Sequence, residues 1–189
     1  MMKDGHAEGE NVRVLLISGG VDSLYLYYKY QNVFDKLIFV DYNQPVRENE
    51  KKVLDDLQID YETLILHGLP QEDNGYVWGR NIEIILQLRK LFINKRLVIY
   101  LGVNAEDMTR SNTPLFYRKV EDVMNESYTG GIRIVMPLEN MNKHDIGIEL
   151  KKMLPKKITP WSCDVPGEKQ CGNCVSCKQG KASEVFNIW

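Results

Sequence analysis

No run of apolar residues in this 189-residue chain approaches the roughly 20 needed to cross a bilayer. The first ten residues, MMKDGHAEGE, are polar and acidic and lack the apolar centre of a secretion signal, so the expectation is a cytoplasmic protein without a membrane partner. Basic charge is not in excess. The 24 Lys and Arg against 26 Asp and Glu leave a net charge of -2, which argues against nucleic acid as a partner. The local Lys151-Lys152 and Lys156-Lys157 cluster reads as a solvated helix end that complements the dipole. No repeat of roughly 20–50 residues and no low-complexity tract is present. The two common phosphate motifs are also missing: there is no Gly-Lys-Ser/Thr and no G-x-G-x-x-G. Cysteine is scarce, and all four lie between Cys163 and Cys177.

What remains is ordinary globular material. The chain is 43% hydrophobic, enough for one compact core. Short runs rich in branched apolar residues predict buried strands at 12–18 (VRVLLIS), 36–40, 61–66, 97–101 and 132–135. Between them, helical spacing marks 22–30, 46–57, 82–92, 116–124 and 143–153. Such alternation implies a mostly parallel sheet with helices on both faces, an α/β fold. Ligands of such sheets bind outside the carboxyl ends of the strands, so the loops at 18–23, 41–47, 102–113 and 137–142 are where chemistry is sought. The composition shifts after Pro160, which divides the chain into a main domain, 1–160, and a small appendage, 161–189.

The first of those loops is Ser18-Gly19-Gly20-Val21-Asp22-Ser23, running from a strand into a helix. Two glycines permit backbone angles closed to other residues and close approach of a ligand. The N–H groups that open the next helix favour an anion such as pyrophosphate. Asp22 is odd beside phosphate, unless it braces the loop or helps hold Mg²⁺. A plain Gly-Gly turn with an Asp/Ser cap is the structural alternative.

Cys163, Cys171, Cys174 and Cys177 are spaced C-x₇-C-x₂-C-x₂-C, a set that can surround one tetrahedral Zn²⁺. Disulfides do not suit an intracellular protein. An iron–sulfur cluster is the other occupant such spacing allows. The reading favours one structural zinc, because four sulfurs leave no open position for catalysis.

SGGVDS is the signature of the PP-loop ATP pyrophosphatases, which the chain resembles, and which cleave ATP between the α and β phosphates. Together with the C-terminal cysteines it resembles the QueC family of 7-cyano-7-deazaguanine synthases. Asp41-Tyr42-Asn43-Gln44 is similar to that family's D-Y-G-Q, with Asn, tolerant of a left-handed backbone, in place of glycine. Gly79-Arg80-Asn81, Gly102-Val103 with Asp107, and Pro137-Leu138 with Lys143 match further family segments. The resemblance implies a PP-loop, adenine nucleotide alpha hydrolase-like fold and a ligase that joins ammonia to 7-carboxy-7-deazaguanine, through an adenylate and an amide, to give a nitrile. It assigns ATP, with Mg²⁺, to Ile17, Ser18, Gly19, Gly20, Val21, Asp22, Ser23, Leu24, Asp41, Tyr42, Gln44 and Gly102. It assigns catalytic roles to Asp22, Ser23, Arg80 and Lys143, the substrate to Arg80, Asn81 and Asp107, and suggests a homodimer.

The chain departs from the family pattern in places. Pro45-Val46 stand where the family has basic residues including a His. Residues 110–117 (RSNTPLFY) replace a Y-P-D-C-like segment, and little lies between Leu66 and Gly79. Gly180 replaces an Arg, with Lys181 the nearest cation. These departures bear on the substrate pocket, so the alternative is a QueC-like enzyme that adenylates another carboxylate or stops at the amide. A zinc-knuckle binding module and a tRNA-thiolating enzyme are further readings. The net charge opposes the first, and the use of all four cysteines by zinc opposes the second.

Overall fold

Why the strands lie where they do is visible in β1, Asn11–Leu16. Val12 and Val14 turn to one side of the sheet, and Leu15, followed by Ile17, turns to the other. A strand apolar on both faces is stable only between two layers. The computed structural model describes residues 10–70, 72, 76–107, 109, 111–128, 130–155 and 157–179. Gly180 and Lys181 lie outside the described residues, as does Arg110.

The elements follow as α1 (Val21–Lys29), β2 (Lys36–Asp41), α2 (Arg47–Asp56), β3 (Glu62–Ile65), α3 (Arg80–Leu91), β4 (Arg96–Tyr100), α4 (Pro114–Ser127), β5 (Ile132–Val135), α5 (Lys143–Met153) and the short α6 (Val175–Gln179). The five strands form an all-parallel sheet in the order β3-β2-β1-β4-β5. Val14 pairs with Lys36 on one side and with Ile99 on the other. On one face, Val14, Ile99 and Ile134 meet Ile85 and Leu88 of α3 and Val120 and Met124 of α4. On the other, Leu15, Ile17 and Phe39 meet Leu24 of α1, Leu54 of α2 and Ile146 and Leu150 of α5. Each such fully buried side chain contributes about 1.5–3 kcal/mol.

Element ends differ from the sequence reading by a few residues, for local reasons. The helix expected at 116–124 starts earlier because Thr113 caps it, accepting from the Phe116 N–H at 3.2 Å, with Pro114 in the first turn. The helix expected from 82 starts at Arg80, after Gly79 turns the chain at φ 67°. At the far end of the sheet, fully buried Arg89 donates to the carbonyls of Lys95 (2.9 Å), Gly131 (3.0 Å) and Phe92, fastening the entries of β4 and β5. No helix among the described residues is long and apolar enough to cross a membrane.

Candidate active site

The strand order reverses at β1. The chain runs outward through β2 and β3, then crosses back to place β4 on the other side of β1. Helices leaving β1 and β4 there diverge, and a crevice opens beyond the strands' carboxyl ends. A cavity of about 300 Å³ occupies that place. Its walls come from the end of β1 (Leu16, Ile17, Ser18), the end of β2 (Val40, Tyr42) and the segment after β4 (Leu101, Gly102, Val103).

The glycine loop forms the floor. Gly19 has φ +71°, and a Cβ there would lie 2.5 Å from the Glu50 carbonyl oxygen. Only glycine fits. Gly20 is the N-cap of α1, and no side chain caps that helix. The N–H groups of its first turn are therefore left without helical partners at the cavity wall, beside Gly20, Asp22 and Ser23. This sets aside a side-chain-capped turn as the loop's explanation. Ser23 Oγ accepts from the Ser18 N–H (3.1 Å), donates to the Gly20 carbonyl (3.2 Å) and lies 3.3 Å from Ser18 Oγ, bracing the loop across itself.

Asp22 faces three partners. The Lys143 ammonium lies 3.3 Å from one oxygen, and Asn104 donates to the other at 3.3 Å. Gly102 comes so near that a Cβ there would lie 2.9 Å from Asp22 Cβ. Burial pulls the Lys143 ammonium down, but Asp22, Asp107 and Asp164 outweigh it and hold its pKa above the ordinary lysine value. Asp107 accepts from the Asn104 N–H at 2.9 Å, and burial pushes its carboxyl up.

The opposite wall joins two segments distant in sequence. Asn43 takes φ 65°, as its glycine-like place predicts, and the turn brings Gln44 back under β2. Gln44 accepts from the Tyr42 N–H (3.0 Å) and donates to the Val40 carbonyl (3.1 Å) and to a Glu50 carboxyl oxygen (3.0 Å). Arg80 donates to Tyr42 Oη at 3.0 Å, with its guanidinium 5.2 Å from the ring centre, and to Asn81 at 3.0 Å. Asn81 in turn donates to the Ser111 carbonyl.

The cavity thus gathers Ile17, Ser18, Gly20, Asp22, Ser23, Tyr42, Gln44, Arg80, Asn81 and Gly102 of the residues singled out in the sequence. Gly19, Val21, Leu24, Asp41, Asp107 and Lys143 do not line it. Val21 and Leu24 are core residues, and Asp41 pairs with Lys51 at 2.9 Å. Sequence reasoning passed over Glu50, Asn112 and Tyr117. The last two belong to the altered 110–117 segment, and Tyr117 donates to Asn112 at 2.9 Å inside the cavity wall. Burial pushes the Tyr117 phenol upward.

The four cysteine sulfurs lie within 4.8 Å of one another, the one such cluster among the described residues. Cys163 and Cys174 Sγ are 3.8 Å apart. Four sulfurs about 2.3 Å from a tetrahedral zinc stand about 3.8 Å apart, so the set fits that ion. Backbone N–H groups turn toward the sulfurs: Val165 and Cys171 donate to Cys163 at 3.3 Å, and Cys177 to Cys174 at 3.3 Å. The Asn173 and Cys174 N–H groups bring the Cys171 thiol down to about 6. The segment is docked on the glycine loop. The Trp161 N–H donates to the Gly19 carbonyl (3.0 Å), and Asn49 of α2 bonds the Gly167 carbonyl (2.7 Å).

A family model described as queuosine biosynthesis protein QueC matches residues 67–185, well over half of the chain. Similar proteins named 7-cyano-7-deazaguanine synthase occur in several organisms. That of Campylobacter fetus is 28% identical, with 87% of this chain and 88% of the relative aligned. That of Thermoplasma acidophilum is 31% identical over 79% and 64%. That of Picrophilus torridus is 28% identical over 87% and 83%.

Proposed function

The chain belongs to the QueC family of ATP-dependent enzymes, and from that premise we propose that it converts 7-carboxy-7-deazaguanine and ammonia to 7-cyano-7-deazaguanine. The observation that carries the reading is the glycine loop, placed with its uncapped helix N-terminus in the crevice where the strand order reverses.

The chemistry follows from the groups present. A carboxylate oxygen is a poor leaving group, and AMP is a good one. Attack of the substrate carboxylate on the α phosphorus releases pyrophosphate, a polyanion suited to the α1 N-terminus and the loop's N–H groups. Ser18 and Ser23 orient that loop, and Lys143, held by Asp22, adds positive charge behind it. Asp22 is also the candidate contact for Mg²⁺ carried by the nucleotide. Ammonia displaces AMP to leave an amide, and a second activation dehydrates the amide to the nitrile. Arg80, fixed against Tyr42, offers a cation to the carboxylate, and the site works mainly by positioning and charge neutralisation. Residues 161–189 act as an appendage whose cysteines hold one structural zinc, keeping Trp161 against the loop.

Incubation with ATP, Mg²⁺, ammonia and 7-carboxy-7-deazaguanine, followed by mass analysis, tests the assignment. The nitrile with two AMP per product is expected. Amide alone, with one AMP, would favour the shortened reaction, for which the altered wall at Asn112 and Tyr117 is the specific reason. An absence of any AMP would overturn the substrate.

A further inference from the structure

A cavity built for a triphosphate and a carboxylate substrate has no use for another fixed negative charge, yet Glu50 lines it. The residue is half-buried in the first turn of α2, and its own carbonyl is what forbids a side chain at Gly19. Its carboxyl is not loosely placed. One oxygen accepts from the Gln44 amide at 3.0 Å, and that amide is locked in turn to the Tyr42 N–H and the Val40 carbonyl. Among the described residues, the other oxygen accepts no hydrogen bond. A carboxyl oriented by one oxygen and unengaged at the other, inside a reaction cavity, is arranged to exchange a proton.

Building on the proposed adenylation, we infer that Glu50 is the proton acceptor for ammonia when it displaces AMP. The nitrogen lone pair forms the C–N bond at the adenylate carbonyl. One N–H proton of the resulting ammonium passes to the free Glu50 oxygen. The C–O bond to AMP then breaks, its electron pair leaving with AMP, and the products are amide, AMP and protonated Glu50, which returns its proton to water. The surroundings suit this task. Burial raises the Glu50 carboxyl to about 7, against the opposing pull of the Gln44 hydrogen bond and of Arg80 on α3. Asp41 of β2 pushes in the same direction as burial, though Lys51 of α2 pairs with it at 2.9 Å. The glycine loop presents backbone to Glu50 at Gly19. An acceptor with a pKa near the working pH is the efficient one.

The test separates the two half-reactions in Glu50→Gln and Glu50→Asp. Exchange of labelled pyrophosphate into ATP, with the carboxylate substrate and no ammonia, reports adenylation. Amide formation at fixed free ammonia reports the displacement. Glu50→Gln should lower amide formation about 100-fold more than it lowers exchange, the scale of general base catalysis. It should also remove a limb near pH 7 that wild type shows in the ammonia step. Glu50→Asp, which keeps a carboxylate but withdraws it, should lose less and keep the limb. Equal loss in both half-reactions would make Glu50 a brace for the loop and overturn the inference, as would wild-type amide formation by Glu50→Gln. Wild type without exchange would instead overturn the adenylation reading, and the Glu50 role with it, at the first arm.

Discussion

Replacing Gly19 by Ala puts a Cβ where the backbone has no room. The strain has two sources. At φ +71° an L side chain costs about 1–2 kcal/mol relative to glycine. The Cβ would also lie 2.5 Å from the Glu50 carbonyl and 3.2 Å from Val53 Cβ, so α2 must retreat or the loop must lift. Forcing apart a packed contact of this kind adds about 1–3 kcal/mol. Together these predict about 2–5 kcal/mol, and for a chain of this size a melting temperature lower by on the order of 10 °C. Gly20→Ala is the matched control. Gly20 has φ -81°, and its Cβ would meet Ser18 Oγ at 3.3 Å and the Trp161 carbonyl at 3.4 Å, ordinary or slightly tight contacts. It should cost less than about 1 kcal/mol. Thermal unfolding and ATP binding of the two variants, measured side by side, decide the matter. Equal destabilisation by both, or an unperturbed Gly19→Ala protein, would refute the geometry assigned to the loop.

Other perturbations probe the rest of the site. Lys143→Met leaves Asp22, Asp107 and Asp164 without their shared cation. It should destabilise by about 1–3 kcal/mol, less than a fully buried pair because both partners keep some exposure, and should depress AMP release; an unchanged melting temperature and rate would contradict the pairing. Removing metal with a chelator should release one zinc per chain, counted by metal analysis. If Trp161 then leaves Gly19, ATP affinity should fall about 3–10-fold, the worth of one hydrogen bond, whereas undiminished affinity would uncouple the tail from the loop. Glu50 also carries a pH signature in stability. Its folded pKa, about 7, stands above the unfolded value of about 4.5, so its stabilisation is complete below pH 4.5 and is lost as pH rises to about 7. Wild type should thus lose up to about 3 kcal/mol relative to Glu50→Gln across that interval, and nothing further above it. Parallel unfolding curves at pH 5 and pH 8 would show the expectation to be wrong.

The sheet was readable because its strands are buried on both faces. VRVLLIS and LVIYL leave no other placement for so many branched side chains, and helical spacing filled the gaps between them. The glycine loop was readable because the hexapeptide itself carries its pattern between a strand and a helix, although the Glu50 carbonyl and Val53 that leave Gly19 no room for a Cβ lie far away in sequence on α2. Glu50 was not. In RENEKK it stands among charged neighbours and reads as one more solvated helix residue. Only the turn at Asn43, which folds Gln44 back beneath β2, brings its carboxyl to the cavity. The contact of Arg80 with Tyr42 spans 38 positions and depends on where α3 starts. The docking of the cysteine segment on the glycine loop has no signature in the spacing of the cysteines either. It rests on a Trp161 backbone N–H, which every residue but proline also has.

In the proposed reaction the substrate carboxylate attacks the α phosphorus of ATP at the glycine loop. Supplying that carboxylate labelled with ¹⁸O, and following ATP consumption by ³¹P NMR and the nucleotide by mass analysis, tests it directly. AMP and pyrophosphate are expected, with one labelled oxygen carried into AMP during the first activation. ADP and inorganic phosphate, or AMP without label from that step, would contradict it.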